Sequence, residues 1–129
     1  MHDWVRDLMS TTIVSCSKDT PIPDVAAAMS RHNVSAIIVI DEDGYLAGLI
    51  TRTDLVVLRA YDEYWQAMQA RHVMIRNVIT TSPSTSVRQA SQELTKRRIH
   101  RLIVVEEDER GRRPVGVLST TDIVRDMAN

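Results

Sequence analysis

Two short stretches of the sequence carry the same pattern of hydroxyl and carboxylate side chains. Residues 48–56 read GLITRTDLV and residues 116–124 read GVLSTTDIV, so each places Thr or Ser three positions before Asp. At the start of a helix, this spacing lets the hydroxyl accept a hydrogen bond from the first turn while the carboxylate accepts one from the N-cap amide. In this interpretation, Asp54 and Asp122 only cap helices.

The same spacing also suits a ligand. A helix N-terminus presents free N–H groups and a partial positive charge, which together favour a phosphate. An acid one turn into that helix can accept hydrogen bonds from a pair of sugar hydroxyls. The residue types therefore leave a structural cap and a nucleotide site open as alternatives.

The similarity between the two stretches extends upstream and indicates an internal repeat. Residues 9–29 align with residues 74–94 at an offset of about 65 positions, and VSAIIVI from Val34 aligns with IHRLIVV from Ile99. The second copy then carries about three additional residues, which we expect a hairpin loop to absorb. We predict two repeats, residues 1–64 and residues 65–129.

Each repeat is predicted to be β-α-β-β-α, which gives an α+β fold. Thr20 and Thr85 are predicted to cap amphipathic helices, because apolar residues recur behind each of them at helical spacing. Short apolar segments then predict buried strands and their antiparallel partners. The predicted strands are 36–40 and 46–50 in the first repeat, and 101–105 and 114–118 in the second. The aspartate patterns follow the last strand of each repeat.

Composition excludes several classes of function. The formal charge of −1 gives no general attraction to nucleic acid or to an anionic membrane. The single cysteine, Cys16, rules out an internal disulfide, and we expect a cytoplasmic protein. The four histidines lack the spacing of a metal site, and no nucleophile with a base or phosphate-binding glycine loop is present. We therefore predict that the chain is not an enzyme and needs no metal.

The order of elements and the repeated Gly-x-x-Ser/Thr-x-x-Asp pattern resemble the cystathionine β-synthase (CBS) domain, whose tandem pair is called a Bateman module. The resemblance covers almost the whole chain. It implies two repeats packed with pseudo-two-fold symmetry around a shared cleft. It also implies a stand-alone regulatory module that binds AMP, ADP, ATP or S-adenosylmethionine as a ligand, with no obligatory cofactor. Occupancy would be signalled to an unknown effector protein.

Carried over to this sequence, the resemblance implies a first cleft around Asp54. Asp54 would accept from the ribose hydroxyls, and His100 would approach the phosphate, assisted by nearby Arg52 and Arg101. The remaining residues of this cleft would be Thr51 and Thr53 along the base and sugar, and Val78 and Ile79 around the adenine.

A second cleft is implied around Asp122. Its other residues would be Ser119, Thr121, Ile13, Val14 and Ser35. Ser35 and Ala36 align with His100 and Arg101, and Thr120 aligns with Arg52, so this cleft lacks the cations of the first. We therefore expect phosphate to be bound mainly in the cleft of Asp54.

One further feature bears on partners. Tyr61, Tyr64, Trp65 and Met68 recur with helical spacing after Asp54, and part of this stripe is predicted to contact a second chain. A homodimer is therefore expected. The alternative to ligand sensing is a structural dimerisation domain in which both aspartates are only caps.

Overall fold

The computed structural model describes all 129 residues, as six short helices and six strands. The helices are α1 (Val5–Leu8), α2 (Ile22–His32), α3 (Arg52–Tyr61), α4 (Ala70–Val73), α5 (Val87–Arg97) and α6 (Thr120–Met127). The strands are β1 (Ser15–Ser17), β2 (Ala36–Ile40), β3 (Leu46–Thr51), β4 (Thr80–Thr81), β5 (Arg101–Asp108) and β6 (Gly111–Ser119). None of the helices has the length and apolar character needed to span a membrane.

The chain forms two compact units. The continuous unit is Val14–Val78, and the split unit combines Met1–Ile13 with Ile79–Asn129. Each unit contains a three-stranded sheet, in the order β1-β2-β3 or β4-β5-β6, whose first pair is parallel and second pair antiparallel. The predicted β-α-β-β-α order is thus confirmed twice, and the fold is α+β.

The cores follow the apolar stripes of the sequence. In the continuous unit, the inward face of α2 packs on β2, where Ile37 and Val39 are fully buried. In the split unit, Ala90 and Leu94 of α5 pack with Leu102 of β5. Helices this short are marginal alone, so burial of these stripes against the sheets stabilises them.

The helix starts differ by one residue from the sequence prediction, which was wrong for Thr20 and Thr85. Pro21 is the N-cap residue of α2, a position where the missing N–H of proline leaves no donor unsatisfied. The Thr20 hydroxyl does not cap the helix and instead accepts a hydrogen bond from the Ser17 amide at 3.1 Å. In the second repeat, Ser86 caps α5 by accepting from the Gln89 amide at 3.0 Å.

The short helices α1 and α4 are exchanged between the repeats. Val5 of α1 is fully buried in the split unit with the second repeat, and Ala70 of α4 is fully buried in the continuous unit with the first. The chain after each helix then bonds to the last strand of its unit. Ser10 pairs with Val117, and Ile75 pairs with Leu49, through backbone hydrogen bonds of 2.9–3.0 Å. The repeat boundaries at residues 64 and 65 stay a prediction from sequence.

The additional residues of the second repeat lie in strands rather than in a longer loop. Strands β5 and β6 remain paired as far as Asp108 and Gly111, with Glu106 and Glu107 opposite Arg113 and Arg112. Opposite charges on facing positions stabilise such a pair modestly. The insertion therefore lengthens a hairpin, and the expectation of a loop is corrected.

The aromatic stripe predicted after Asp54 does not lie on one helix. Helix α3 ends at Tyr61, and Trp65 belongs to a separate 3-10 turn, Trp65–Ala67. Tyr61 is 88% exposed and Tyr64 is 71% exposed. The Arg59 guanidinium lies 5.9 Å from the centre of the Trp65 ring. The stripe thus separates into exposed tyrosines and a tryptophan covered by an arginine.

Asp126, in the last turn of α6, is the single buried charged residue of the chain. Its carboxylate accepts from the His2 backbone amide at 3.0 Å, and its other oxygen lies 2.7 Å from His2 Nδ1. The backbone hydrogen bond from His2, followed by the side-chain bond, holds the pKa of the Asp126 carboxyl below its usual value. His2 therefore fastens the N-terminal segment to α6.

The lowered pKa of Asp126 makes its contribution to stability depend on pH. It is present above the carboxyl's unfolded pKa of about 3.9 and is lost as pH falls through the folded value. Asp126→Asn should therefore lower the melting temperature at pH 7, and the difference from the unmodified protein should shrink toward pH 3. Thermal melts across this range test the prediction, with exposed Glu63→Gln as the control. A difference independent of pH would contradict it.

Candidate functional site

The first aspartate pattern forms a complete capping box at the start of α3. Thr51 is the N-cap residue, and its hydroxyl accepts from the Asp54 amide at 3.2 Å. Asp54 Oδ2 in turn accepts from the Thr51 amide at 2.8 Å. Arg52 and Thr53 are exposed beside this box, and Arg52 Nη2 donates to Asn33 at 3.3 Å. The predicted geometry of the strand-to-helix junction is confirmed.

The second pattern forms an equivalent box at the start of α6. The Ser119 hydroxyl accepts from the Asp122 amide at 3.2 Å, and Asp122 Oδ2 accepts from the Ser119 amide at 2.8 Å. Thr120 and Thr121 are exposed in the first turn. With Val124 and Arg125, they line an open depression of about 370 Å³.

The boxes differ in the second oxygen of each aspartate. Asp122 Oδ1 accepts from Arg125 Nη1 at 3.2 Å, whereas Asp54 Oδ1 has no partner within the protein. Every buried side-chain oxygen in the chain has a hydrogen-bond partner. Because Asp54 Oδ1 has no partner, it is not buried and solvent can reach it. The Asp54 box therefore has a free acceptor beside a helix N-terminus, where the Thr51, Arg52 and Asp54 amides are already hydrogen-bonded within the protein. The sequence carries a signal for this difference, because the residue three positions after the aspartate is Val57 in the first repeat and Arg125 in the second.

His100, Arg101 and Ser35 each lie directly before a strand or at its start, next to a box. In the split unit, the His100 carbonyl accepts from the Thr120 amide at 3.0 Å, and Arg101 pairs with Ser119 across the sheet. In the continuous unit, the Ser35 carbonyl accepts from the Arg52 amide at 3.0 Å. His100 and Ser35 are exposed, and Arg101 is partly buried. Their assignment to particular clefts stays a prediction.

The four apolar residues predicted to enclose the adenine lie where the chain passes from one unit to the other. One unit boundary falls between Ile13 and Val14, and the other falls between Val78 and Ile79. The Val14 carbonyl accepts from Ile38 at 3.1 Å, and the Ile79 carbonyl accepts from Ile103 at 3.3 Å. These backbone bonds fix each crossing to the central strand of a sheet. The role of these residues toward a ligand stays a prediction.

The glycine that begins each pattern has a steric role that sequence reasoning missed. A Cβ added at Gly48 would lie 2.7 Å from Met74 Sδ and 2.9 Å from the Ile75 carbonyl oxygen. At Gly116, it would lie 2.8 Å from Met9 Sδ and 2.9 Å from the Ser10 carbonyl oxygen. Both glycines therefore allow an exchanged segment to approach the strand that leads to a capping box.

Other reactive groups are not assembled into a site. No group of three or more histidine, cysteine, aspartate or glutamate side chains is placed to hold a metal ion. Burial raises the pKa of the Cys16 thiol, and a hydrogen bond with Thr20 offsets this only in part. A protonated thiol is a poor nucleophile, which agrees with a packing role for Cys16 in β1.

The duplicated fold and its paired capping boxes define the class of protein. The CBS domain model matches residues 5–61 and again residues 70–129, so the chain belongs to the CBS domain family, with two repeats covering its length. A CBS pair is a regulatory module fold.

Similar proteins include both small and large chains. "CBS domain-containing protein YhcV" of Bacillus subtilis is 29% identical, with 97% of this chain and 86% of that protein covered. The γ subunit of 5′-AMP-activated protein kinase from Saccharomyces cerevisiae is 30% identical, covering 86% of this chain and 36% of the subunit. The CBS pair of protein MJ0100, solved with 5′-methylthioadenosine and S-adenosylmethionine, is 27% identical with a TM-score of 0.86, covering 97% and 95% of the two chains.

Several relatives are enzymes of much greater length. The chain spans 22% of an L-aspartate semialdehyde sulfurtransferase, 18% of an inosine-5′-monophosphate dehydrogenase and 24% of a homoserine O-acetyltransferase. The similarity therefore covers only a small part of each of these enzymes.

Proposed function

We propose that this chain is a regulatory module that senses an adenosine-containing ligand. The observation that carries the proposal is the Asp54 box, where a solvent-reached carboxylate oxygen lies beside the N-terminus of α3. That oxygen accepts from the ribose hydroxyls, while Thr51 and Thr53 line the sugar and base. The binding of 5′-methylthioadenosine and S-adenosylmethionine by the CBS pair of MJ0100 supports this ligand class. We expect AMP, ADP, ATP or S-adenosylmethionine to be sensed, and occupancy to be passed to an effector protein.

A structural interaction domain is the alternative, and the capping geometry itself favours it. Both aspartates already satisfy the amide of their N-cap residue, which explains their presence without any ligand. The exposed apolar side chains on α3, Val56 and Val57 at 67% and 52% exposure, would suit a protein contact. The homodimer and the cytoplasmic location stay predictions from sequence.

Calorimetric titration separates the two functions. The unmodified protein is titrated with adenosine, AMP, ADP, ATP, 5′-methylthioadenosine and S-adenosylmethionine, with 2′-deoxyadenosine as the control that lacks the diol. A melting-temperature panel checks the result, because a ligand at a hundred times its Kd stabilises by about 2.7 kcal/mol. Binding that requires the diol supports the proposed function. Failure of every compound to bind would leave the structural alternative.

Phosphate recognition is expected to depend on the second repeat. Arg101 supplies a cation and His100 an imidazole, whereas the equivalent Ser35 and Ala36 supply one hydroxyl. Replacing His100 by Ser and Arg101 by Ala should lower AMP affinity toward that of adenosine, by about 0.5–1 kcal/mol, as for charge contacts near a protein surface. Adenosine affinity should hardly change. Titration of the double variant with both ligands checks this, and unchanged AMP affinity would contradict the assignment.

A further inference from the structure

The two capping boxes differ at the third residue after the aspartate. In the split unit this residue is Arg125, whose Nη1 donates to Asp122 Oδ1 at 3.2 Å. In the continuous unit it is Val57, which is 52% exposed and offers no polar group. The two arginines of α3 contact other groups, since Arg52 donates to Asn33 and Arg59 lies over the Trp65 ring. Only one box therefore has a cation on its aspartate.

This difference decides whether Oδ1 of the aspartate is free for a ligand. In both boxes Oδ2 accepts from the N-cap amide at 2.8 Å, so Oδ1 is the oxygen with more accepting capacity left for a ligand. Asp54 Oδ1 is unpartnered and reached by solvent. A pair of hydroxyls that approaches Asp122 must share Oδ1 with the Arg125 guanidinium or displace it, and either outcome weakens binding at this box.

We propose that Arg125 is a specificity-determining residue, which makes the Asp122 box a weaker site for cis-diol ligands, such as ribonucleosides, than the Asp54 box. This inference rests on the proposed function and assigns unequal roles to its two boxes. The Arg125 side chain is 67% exposed, so its pairing is modest, and the effect is a few-fold preference instead of complete exclusion.

Exchanging the equivalent residues Arg125 and Val57 between the two repeats tests the role of Arg125. Asp54→Asn keeps an acceptor for the Thr51 amide but removes the charge, so titration of this variant reports mainly on the Asp122 box. Adding Arg125→Val, the residue of the first repeat, should raise adenosine affinity about two- to fivefold. Affinity for 2′-deoxyadenosine should not change, because that ligand lacks the diol. If Arg125 has only a structural role, its replacement should change the affinities for adenosine and 2′-deoxyadenosine by the same factor.

The reciprocal variant is Val57→Arg in an Asp122→Asn background. It should lower adenosine affinity by a similar factor, again without an effect on 2′-deoxyadenosine. Arg97→Val is the matched control, since it removes an exposed cation that pairs with Glu93 on α5 and not with either aspartate.

The outcomes separate this inference from the proposed function. If the unmodified protein binds no adenosine compound, both the function and the inference are wrong. If it binds adenosine but Arg125→Val leaves the ratio of adenosine to 2′-deoxyadenosine affinity unchanged, the function stands and the inference alone is overturned. If Arg97→Val changes the ratio of adenosine to 2′-deoxyadenosine affinity as much as Arg125→Val does, the inference is also overturned. The change would then depend on the net charge of the protein and not on the position of Arg125.

Discussion

Replacing Asp54 by alanine is expected to weaken AMP binding about tenfold or more. The variant removes an acceptor that ribose hydroxyls use, and a charge-assisted hydrogen bond is worth at least about 1.5 kcal/mol. It also removes the reciprocal bond to the Thr51 amide, so the free energy of unfolding should fall by about 0.5–2 kcal/mol, as for other helix caps. Calorimetric titration beside a melting curve measures the two effects separately.

The matched control is Asp122→Ala. Because Asp122 caps α6 with the same geometry, this variant should cost similar stability. Its effect on AMP affinity should be smaller, since Arg125 already occupies Asp122 Oδ1. If Asp54→Ala lowers the melting temperature as expected but leaves AMP affinity intact, the aspartate is only a cap and the ribose assignment is wrong.

Adding one methyl group at Gly48 is expected to destabilise the protein by about 1–3 kcal/mol, as for overpacked cores. The new Cβ would meet the Ile75 carbonyl oxygen at 2.9 Å, and a backbone atom held by hydrogen bonds to Leu49 cannot move aside as a side chain can. The strand that leads to Thr51 would have to shift. Urea unfolding of Gly48→Ala measures the cost.

Substitutions at two other glycines test whether the backbone clash is the cause. Gly116→Ala creates the equivalent clash, with the Ser10 carbonyl at 2.9 Å, and should be destabilising to a similar degree. Gly44→Ala meets no atom within 4 Å, and its cost should reflect only the left-handed φ of 87°. Stability of Gly48→Ala equal to that of the unmodified protein would show that the exchanged segment has room to yield.

The fold was predictable because its signals occur twice. An apolar stripe at helical spacing followed by a β-branched run indicates a helix and a buried strand, and the second copy removes the chance that either is an accident. The first residue of each helix could not be predicted, because neighbouring residues suit the start of a helix equally well. Pro21 and Pro23 both suit a first turn, and Thr85 and Ser86 are adjacent hydroxyl residues of which either can cap. Only the backbone hydrogen bonds distinguish them.

The exchange of α1 and α4 could not be predicted from the repeat. The alignment establishes that Val5 and Ala70 are equivalent, but an apolar residue packs as well against one core as against a similar one. The two boxes were predictable to the level of the reciprocal hydrogen bonds, since these depend on local spacing. The pairing of Arg125 with Asp122 was equally predictable, because residues three positions apart on a helix are neighbours.

Residues 1 and 129 both lie in the split unit, so a force applied between these two residues acts on that unit first. A pull between residues 1 and 129 loads the contacts of the N-terminal segment with the second repeat, including the bond of His2 to Asp126. The continuous unit is an insertion between Ile13 and Ile79, so it carries no tension while the split unit stays closed. Under force, the unit of Asp122 should open first, and the unit of Asp54 should remain folded until then.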